Sequence, residues 1–517
     1  MKLNYKRTIC VGFAFFLICA FWQAYDNTIP LILTNKFGMS QTWSGFIMAL
    51  DNILALFMLP LFGAISDRHN SKLGRRTPFI LIGTIVAAIA FVGLSVADNA
   101  QLKNISDVAA IDDPKALAVI YETEADKELI TPSGEKFILS EKFTEDEFTA
   151  IISETETDGK THTNPDYTNY VVPARQAYAW QATAENPATL VFFVLLLLLV
   201  LVAMATFRSP AVALMPDVTM KPLRSKANAV INLMGSAGGI IVLALGMVFA
   251  TSAVRNSLMS YTLYFGVIAG IMIVALVIFM LTVKEPKFVA EMQADSKKYG
   301  IEDVAEDDGS GSRKLSKPEL RSLIFILASI VLWFMGYNAV TSKYSVYASN
   351  ILHKDYNFTL IIAQAAAIIA YLPVGIVASK VGRKKTIIAG VAMLTVAFGS
   401  AAFMDAESPT MLMNFMFALA GIAWATINVN SFPMVVEMCS GGDVGKYTGF
   451  YYTASMAAQV VTPLLSGFLM DKLGMTVLFP YAAIFVAGAL VTMMFVKHGD
   501  SKPIAKKGLE ALEDMDD

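Results

Sequence analysis

Long apolar runs broken by short charged turns dominate the pattern of this chain. Twelve runs are long enough to be helical spans: 8–33, 42–65, 78–97, 188–207, 227–250, 261–283, 321–348, 357–379, 386–404, 411–436, 447–470 and 476–496. A helix needs about 20 apolar residues to cross roughly 30 Å of hydrocarbon. The stretch Leu190 to Ala205 holds no charge at all. Continuous helices satisfy their own backbone hydrogen bonds, as lipid requires. The alternating short segments of an outer-membrane barrel are missing from the pattern. The expected fold is an all-α membrane protein of twelve transmembrane helices. No small-residue cleavage site follows the first span, which reads as a retained helix rather than a signal peptide.

The polar segments sort the spans into two sets of six. Residues 1–283 are expected to form a first bundle and 321–496 a second, with a linker at 284–320 and a tail at 497–517. The linker carries Glu302-Asp303, Glu306-Asp307-Asp308 and Gly309-Ser310-Gly311-Ser312, the composition of a flexible connector. The polar segment 98–187, between spans three and four, is either a small cap or a solvated loop. Phe143, Phe148, Ile151 and Ile152 in it stand at roughly helical spacing. The two halves also repeat a charge pattern. Asp217 and Lys226 recur as Glu437 and Lys446, 220 residues on, and Gly74-Arg75-Arg76 recurs as Gly382-Arg383-Lys384, 308 residues on. The two offsets differ by about the length of the 98–187 segment, so removing it restores a parallel duplication. Duplicated six-helix halves are the build of a carrier that rocks between two states.

Composition agrees with this reading. Of 517 residues, 55% are hydrophobic and 16% charged, and the mean hydropathy is +0.55. The net charge of −3 offers nothing to nucleic acid but hides an asymmetry. An even number of spans puts both termini on one side. Segments on that side carry 27 Lys/Arg, whereas the short loops opposite carry five: Lys36, Arg255, Lys343, Lys354 and Lys472. The positive-inside rule makes the terminal side cytoplasmic, as in a multi-pass protein of the plasma membrane. Cys10, Cys19 and Cys439 form no disulfide framework or metal spacing. His69, His162, His353 and His498 form no catalytic cluster. Neither an enzyme nor a bound cofactor or metal is expected.

Ionisable groups inside a span cost about 3 kcal/mol or more unless they face a partner or a cavity. Asp26 in the first span is flanked by Gln23, Tyr25, Asn27 and Thr28; Asp51 in the second is followed by Asn52. Counted from their span ends, the two acids lie at one depth within about a turn. They can share a proton or hold a cation, or each can be bonded within the bundle. Arg208, in the fourth span, either serves the same cavity or snorkels to the headgroups. Tyr337, Asn338, Thr341 and Tyr344 in the seventh span, and Trp424, Asn428 and Ser431 in the tenth, present polar and aromatic faces. Tyr451, Tyr452, Ser455 and Gln459, with Asn228, Asn232 and Ser236, add similar groups. Amides and hydroxyls bind sugar hydroxyls while rings stack on sugar C–H faces; interfacial belts are the alternative for Tyr and Trp near span ends. At the terminal side, Arg75, Arg76 and Arg383 can pair with Asp217 and Glu437 as a gate. Partly hydrated pairs are worth only about 1 kcal/mol each, so opening is cheap.

Particular stretches resemble the major facilitator superfamily. Leu59-Pro60-Leu61-Phe62-Gly63-Ala64-Ile65-Ser66-Asp67-Arg68, Leu73-Gly74-Arg75-Arg76-Thr77-Pro78-Phe79 and Pro210-Ala211-Val212-Ala213-Leu214-Met215-Pro216-Asp217 with Ala227-Asn228-Ala229 carry the likeness. It is strongest to the glycoside–pentoside–hexuronide:cation symporters and the sucrose-transporter group. Val212 stands where relatives often carry Arg, and Ser379 replaces the acid of the second-half motif. The resemblance implies a monomeric secondary carrier that imports a disaccharide such as sucrose or maltose, driven by protons or, less simply, sodium. It also implies gating by Asp67 with the Gly-Arg turns. Two rivals follow from the residues themselves. An efflux carrier for amphipathic compounds would use the 27 Met and 33 Phe; a non-transporting sensor would use the 98–187 segment.

Overall fold

The computed structural model describes residues 3–157, 160–220, 223–299, 315–436, 438 and 444–499. Each predicted run is a helix. The first six are α1 (Tyr5–Asn35), α2 (Gln41–Arg68), α3 (Thr77–Asn104), then, after a folded cap containing α4 to α7, α8 (Ala188–Asp217), α9 (Arg224–Val248) and α10 (Thr262–Thr282). A surface helix, α11 (Glu285–Lys298), precedes the second six: α12 (Lys317–Tyr347), α13 (Tyr356–Val381), α14 (Arg383–Ala401), α15 (Thr410–Val436), α16 (Val444–Leu473) and α17 (Leu478–Met494). Among the described residues, eleven helices are long and apolar enough to cross a membrane, and α13 contributes a shorter apolar stretch, Tyr356–Tyr371.

Each bundle packs its own core. Phe21, Phe91, Phe193, Phe207 and Phe265 are buried in the first, and Trp333, Ile387, Leu394 and Phe479 in the second. Opposite faces stay apolar but exposed, as at Ile89, Leu281, Ile369 and Ile484. A helix that is hydrophobic all round suits lipid on one face and protein on the other. The bundles meet along α2–α16, α9–α13 and α1–α12. Gly45 lies against the Pro463 carbonyl, and Gly467 against the Gln41 backbone, so closely that a Cβ would collide. Small residues of this kind let two membrane helices touch backbone to backbone. Both Gly-Arg turns use the left-handed freedom of glycine, with φ of 111° at Gly74 and 102° at Gly382.

Several helices run beyond their apolar cores. α3 continues to Asn104, seven residues past its expected end, because Asp98 is not a loop residue. It is fully buried and accepts from Lys36 Nζ at 2.5 Å. Lys343, counted with the outer-loop charges although it falls at the end of the expected span 321–348, sits inside α12 and is also fully buried. These lysines are absent from the water-facing loops because each found a buried acceptor.

The cap is folded, with two short hairpins that the periodicity did not reveal. It comprises α4 (Pro114–Glu124), β1 (Glu128–Ile130), β2 (Lys136–Ile138), α5 (Leu139–Lys142), α6 (Glu145–Thr149), β3 (Glu154–Thr157), β4 (Lys160–Thr163) and α7 (Val172–Glu185). β1 pairs antiparallel with β2, and β3 with β4. Leu117, Ile120, Phe137, Phe148, Tyr167 and Val171 close its core. Of the four residues at helical spacing, only Phe148 falls in a helix, α6, which a Thr144–Glu147 capping box starts. The cap touches both bundles. Gln176 Nε2 donates to Asn35 Oδ1 at 2.9 Å on the first; Met475 N donates to Pro132 O at 2.7 Å, and Thr168 Oγ1 bonds His353 Nε2 at 2.9 Å, on the second.

Part of the expected linker is ordered. Glu285, the first residue of α11, is buried and accepts from Arg75 N at 2.7 Å, Thr77 N at 2.8 Å and Thr77 Oγ1 at 2.7 Å. It supplies the missing partners at the N-terminus of α3. Residues 300–314 of the linker, 500–517 of the tail and Glu437 lie outside the described residues, as do the side chains of Lys226, Ser379 and Lys446.

Candidate substrate and coupling site

Two adjoining cavities lie between the bundles. One, of about 190 Å³, is polar and is lined by Trp22, Asp26, Asp51, Asn52, Arg208, Asn338 and Gln459 among others. The second, of about 340 Å³, is lined by Gln23, Asn27, Ser236, Tyr337, Gln364, Tyr371 and Trp424. Asp26 and Thr341 line both, so the two adjoin and together make up the central chamber.

Helical spacing builds the walls. Trp22 and Asp26 are four residues apart on α1, and Asn338, Thr341 and Ser342 share one face of α12. Asp26 lies nine residues from the end of α1 and Asp51 ten from the start of α2. At about 1.5 Å per residue, both acids sit about 15 Å below the cap-side helix ends. Asp51 Oδ1 accepts from Asn52 Nδ2 at 2.7 Å. The Arg208 guanidinium lies 5.6 Å from the Trp22 ring centroid, a cation–π distance that keeps it in the chamber. Trp22 Nε1 and Asn338 Nδ2 are buried donors without a partner. Buried polar atoms are rarely left unmatched, so two lining one polar cavity point to a ligand or water there. On the aromatic side, Tyr337 and Trp424 stack with centroids 3.5 Å apart and planes 4° from parallel. Phe334 meets Trp424 edge-on at 5.3 Å.

Of the predicted site residues, Asp26, Asp51, Asn52, Arg208, Gln23, Tyr337, Asn338, Thr341 and Trp424 line the chamber. Tyr25, Asn232, Asn428 and Tyr452 line neither cavity. Tyr25 turns into the first bundle, fully buried and stacked on Phe21 at 5.9 Å; Tyr452 packs on Tyr451 at 5.6 Å. Trp22 and Gln364 escaped the sequence reading. Trp22 was legible, since it stands one turn before Asp26. Gln364 gave no signal, being a single amide within an apolar stretch of α13; it donates to Gln23 across the bundles.

Above the chamber, the bundles are bonded together on the cap side. Asp471 of α16 accepts from Gln41 N at 2.7 Å, Thr42 N at 2.8 Å and Thr42 Oγ1 at 2.5 Å, and so caps α2 from the other bundle. Lys343 Nζ donates to Gln41 O at 2.6 Å. Thr251 Oγ1 bonds Tyr356 OH at 2.7 Å and accepts from Asn357 Nδ2 at 3.1 Å.

At the terminal side, Arg76 pairs with Asp217 at 2.8 Å and with Asp67, and Arg75 lies 3.6 Å from Asp217. Burial alone would lower the Arg76 pKa, but Asp217 and then Asp67 raise it, so this arginine stays charged. All four residues belong to the first bundle, so these pairs fasten the α2–α3 turn to the end of α8 rather than joining the bundles. Arg383 is buried at the first turn of α14.

Two six-helix bundles around a chamber define a class of protein, and the comparisons give it a family. The Major Facilitator Superfamily profile matches residues 177–364 and 354–513. The chain belongs to that superfamily of membrane transporters. A profile described as MFS/sugar transport protein matches residues 10–102. Sucrose transport protein SUC3 of Arabidopsis thaliana is 42% identical over 55 residues, 11% of this chain and 9% of that protein. Sucrose transport protein SUC4 of the same plant is 38% identical over 55 residues, 11% of each chain. The matched stretch is thus about a tenth of either relative. Among solved structures, the inward open xylose transporter XylE from E. coli aligns over 99% of both chains, with a TM-score of 0.58 at 14% identity. A D-xylose-proton symporter aligns over 96% of this chain and 99% of its own, with a TM-score of 0.55 at 13% identity. At such identities the likeness shows the fold.

Proposed function

We propose that the protein is a proton-coupled symporter that imports a disaccharide or related glycoside, of the sucrose or maltose kind, by alternating access. One observation carries the reading: two adjoining cavities set two carboxylates and an arginine beside unpartnered buried donors, Trp22 Nε1 and Asn338 Nδ2, in one and a flat aromatic stack in the other. Sugar hydroxyls satisfy the donors, and the Tyr337–Trp424 stack offers its edge and neighbouring faces to the ring C–H groups. Asp26 and Asp51 carry the coupling proton, and Arg208 keeps the deprotonated pair stable when the sugar has left. The sucrose-transport relatives and the xylose-carrying neighbours support the substrate class.

In this cycle the bonds of Asp471 and Lys343 hold the cap side shut, and their release opens the chamber toward the cap. Arg75, Arg76, Asp67 and Asp217 keep the first bundle rigid at the opposite mouth, and Arg383 with Glu437 serves the second. The terminal side faces the cytoplasm, given its excess of basic residues, and the cap faces outward from the plasma membrane. Residues 1–283 and 321–496 are the two moving units, and the carrier works as a monomer.

Uptake by the purified protein in proteoliposomes tests this. Labelled sucrose or maltose should accumulate when the outside is made acid, and a sodium gradient alone should not replace the proton gradient. Failure of every disaccharide tried to enter under either gradient refutes the reading. Sodium-driven uptake without proton-driven uptake keeps the symport and reassigns the ion.

A further inference from the structure

A separate cavity of about 480 Å³ lies where the cap meets both bundles, within the range of about 300–1,000 Å³ usual for small-molecule sites. It shares no lining residue with the central chamber. Its walls come from the α1–α2 turn, the cap helix α7 and the α16–α17 turn. The lining is chemically specific. Gln41 is 5% exposed and its side-chain Oε1 is buried without a partner. Asn350, also buried, donates weakly to Met475 Sδ at 3.9 Å. Gln176 adds a third amide, and the indoles of Trp43 and Trp180 remain 56% and 44% exposed. The carboxylate of Asp471 is already satisfied by the α2 N-terminus, and no lysine, arginine or histidine lines the cavity. Amides with a free acceptor beside open indole faces, without a cation or a free anion, suit a neutral polyhydroxy ligand.

We propose that this cavity is a second sugar-binding site, and that a sugar bound there holds the cap side closed and slows transport. The second half follows from where the walls belong. Gln41 and Trp43 move with the first bundle, Asn350 and Met475 with the second, and Gln176 and Trp180 with the cap. A ligand touching all three binds only while they are together, and so favours that state by its differential affinity. The regulatory half rests on the alternating-access reading; the binding half does not.

Equilibrium binding of labelled sucrose and labelled maltose to the detergent-purified full chain tests the binding half, in a Trp424→Ala background that weakens the central chamber. One of the two sugars should still show a saturable component of about one molecule per chain beyond the weakened central one. Adding Trp180→Ala, or separately Gln176→Ala, should weaken that binding about tenfold. Trp180 is exposed, so its loss leaves the fold intact. Absence of saturable binding by either sugar in the Trp424→Ala background overturns the proposal, as does binding that neither added change weakens. For the regulatory half, uptake by the otherwise wild-type chain should fall at high sugar outside, and Trp180→Ala should remove the fall while leaving low-sugar uptake unchanged. Uptake that shows no such fall overturns that half. Loss of uptake altogether, with cap-site binding intact, would overturn the symport reading alone.

Discussion

At the residue scale, the informative groups are those that lipid would reject. Asp26, Asp51 and Arg208 were legible because a charge inside an apolar run needs a reason. Lys36, Asp98 and Lys343 obey the same logic but lay too near the run ends to be read as buried. Position within a run separates a loop charge from a membrane charge only to within a turn or so, and here that turn held a buried ion pair. Under the proposed mechanism, Asp51→Asn removes a titrating site while keeping its hydrogen bond to Asn52. Gradient-driven accumulation should be lost, while exchange of labelled for unlabelled sugar across the membrane persists. Wild-type accumulation by that variant would take Asp51 out of the coupling step. Trp424→Ala removes the flat partner of Tyr337. Aromatic stacking is worth about 1 kcal/mol beyond buried area, so apparent sugar affinity should fall about fivefold or more, read as a rise in KM with little change in the proton dependence.

At the element scale, helix ends explain what apolar length does not. The spans were legible because each run matches the thickness of a bilayer, but their caps come from distant residues. Glu285 sits in a segment whose composition reads as linker, yet it closes the N-terminus of α3. No local spacing reveals a cap 208 residues away. Glu285→Ala leaves the α3 amides and the Thr77 hydroxyl without acceptors in a buried setting. A charged hydrogen-bonding group of this kind contributes about 2 kcal/mol, so the detergent-solubilised protein should melt several degrees lower, while Glu291→Ala on the exposed face of α11 should not shift the melt. The cap of α2 is supplied across the bundles by Asp471. Removing an N-cap costs about 1 kcal/mol, which is about a fivefold shift between closed and open cap sides. In Asp471→Ala, a cysteine placed at Thr341 in a background lacking the native cysteines should react faster with an impermeant thiol reagent added on the cap side. An unchanged rate would mean that Asp471 does not hold that mouth.

At the scale of the whole molecule, the two-bundle build was legible from the apolar runs and the charged turns between them, whereas the inner build of the cap was not. Its hairpins are three or four residues long per strand, too short for a period to stand out, and its core forms between pieces far apart in sequence. The cap is rooted at both ends in the first bundle yet meets the second at the α16–α17 turn. There Gly134 and Gly474, with φ of 98° and 89°, bring two backbones together. Alternating access requires that contact to part. Cysteines at Ser133 and Leu473, joined by an oxidant, should therefore block uptake, and a reductant should restore it. Uptake that continues through the cross-link would mean the cap travels with the second bundle.

The capping of α2 by Asp471 also bears on how affinity is measured. A helix whose first two amides, those of Gln41 and Thr42, are matched by Asp471 only when the two bundles meet has a built-in preference for that arrangement, whatever the cargo. Ligand added on the cap side then sees only the minority of molecules in which the mouth is open, and the apparent dissociation constant is the intrinsic one divided by that fraction. Weak binding from that side would report the resting population of the carrier, not a poor fit in the chamber.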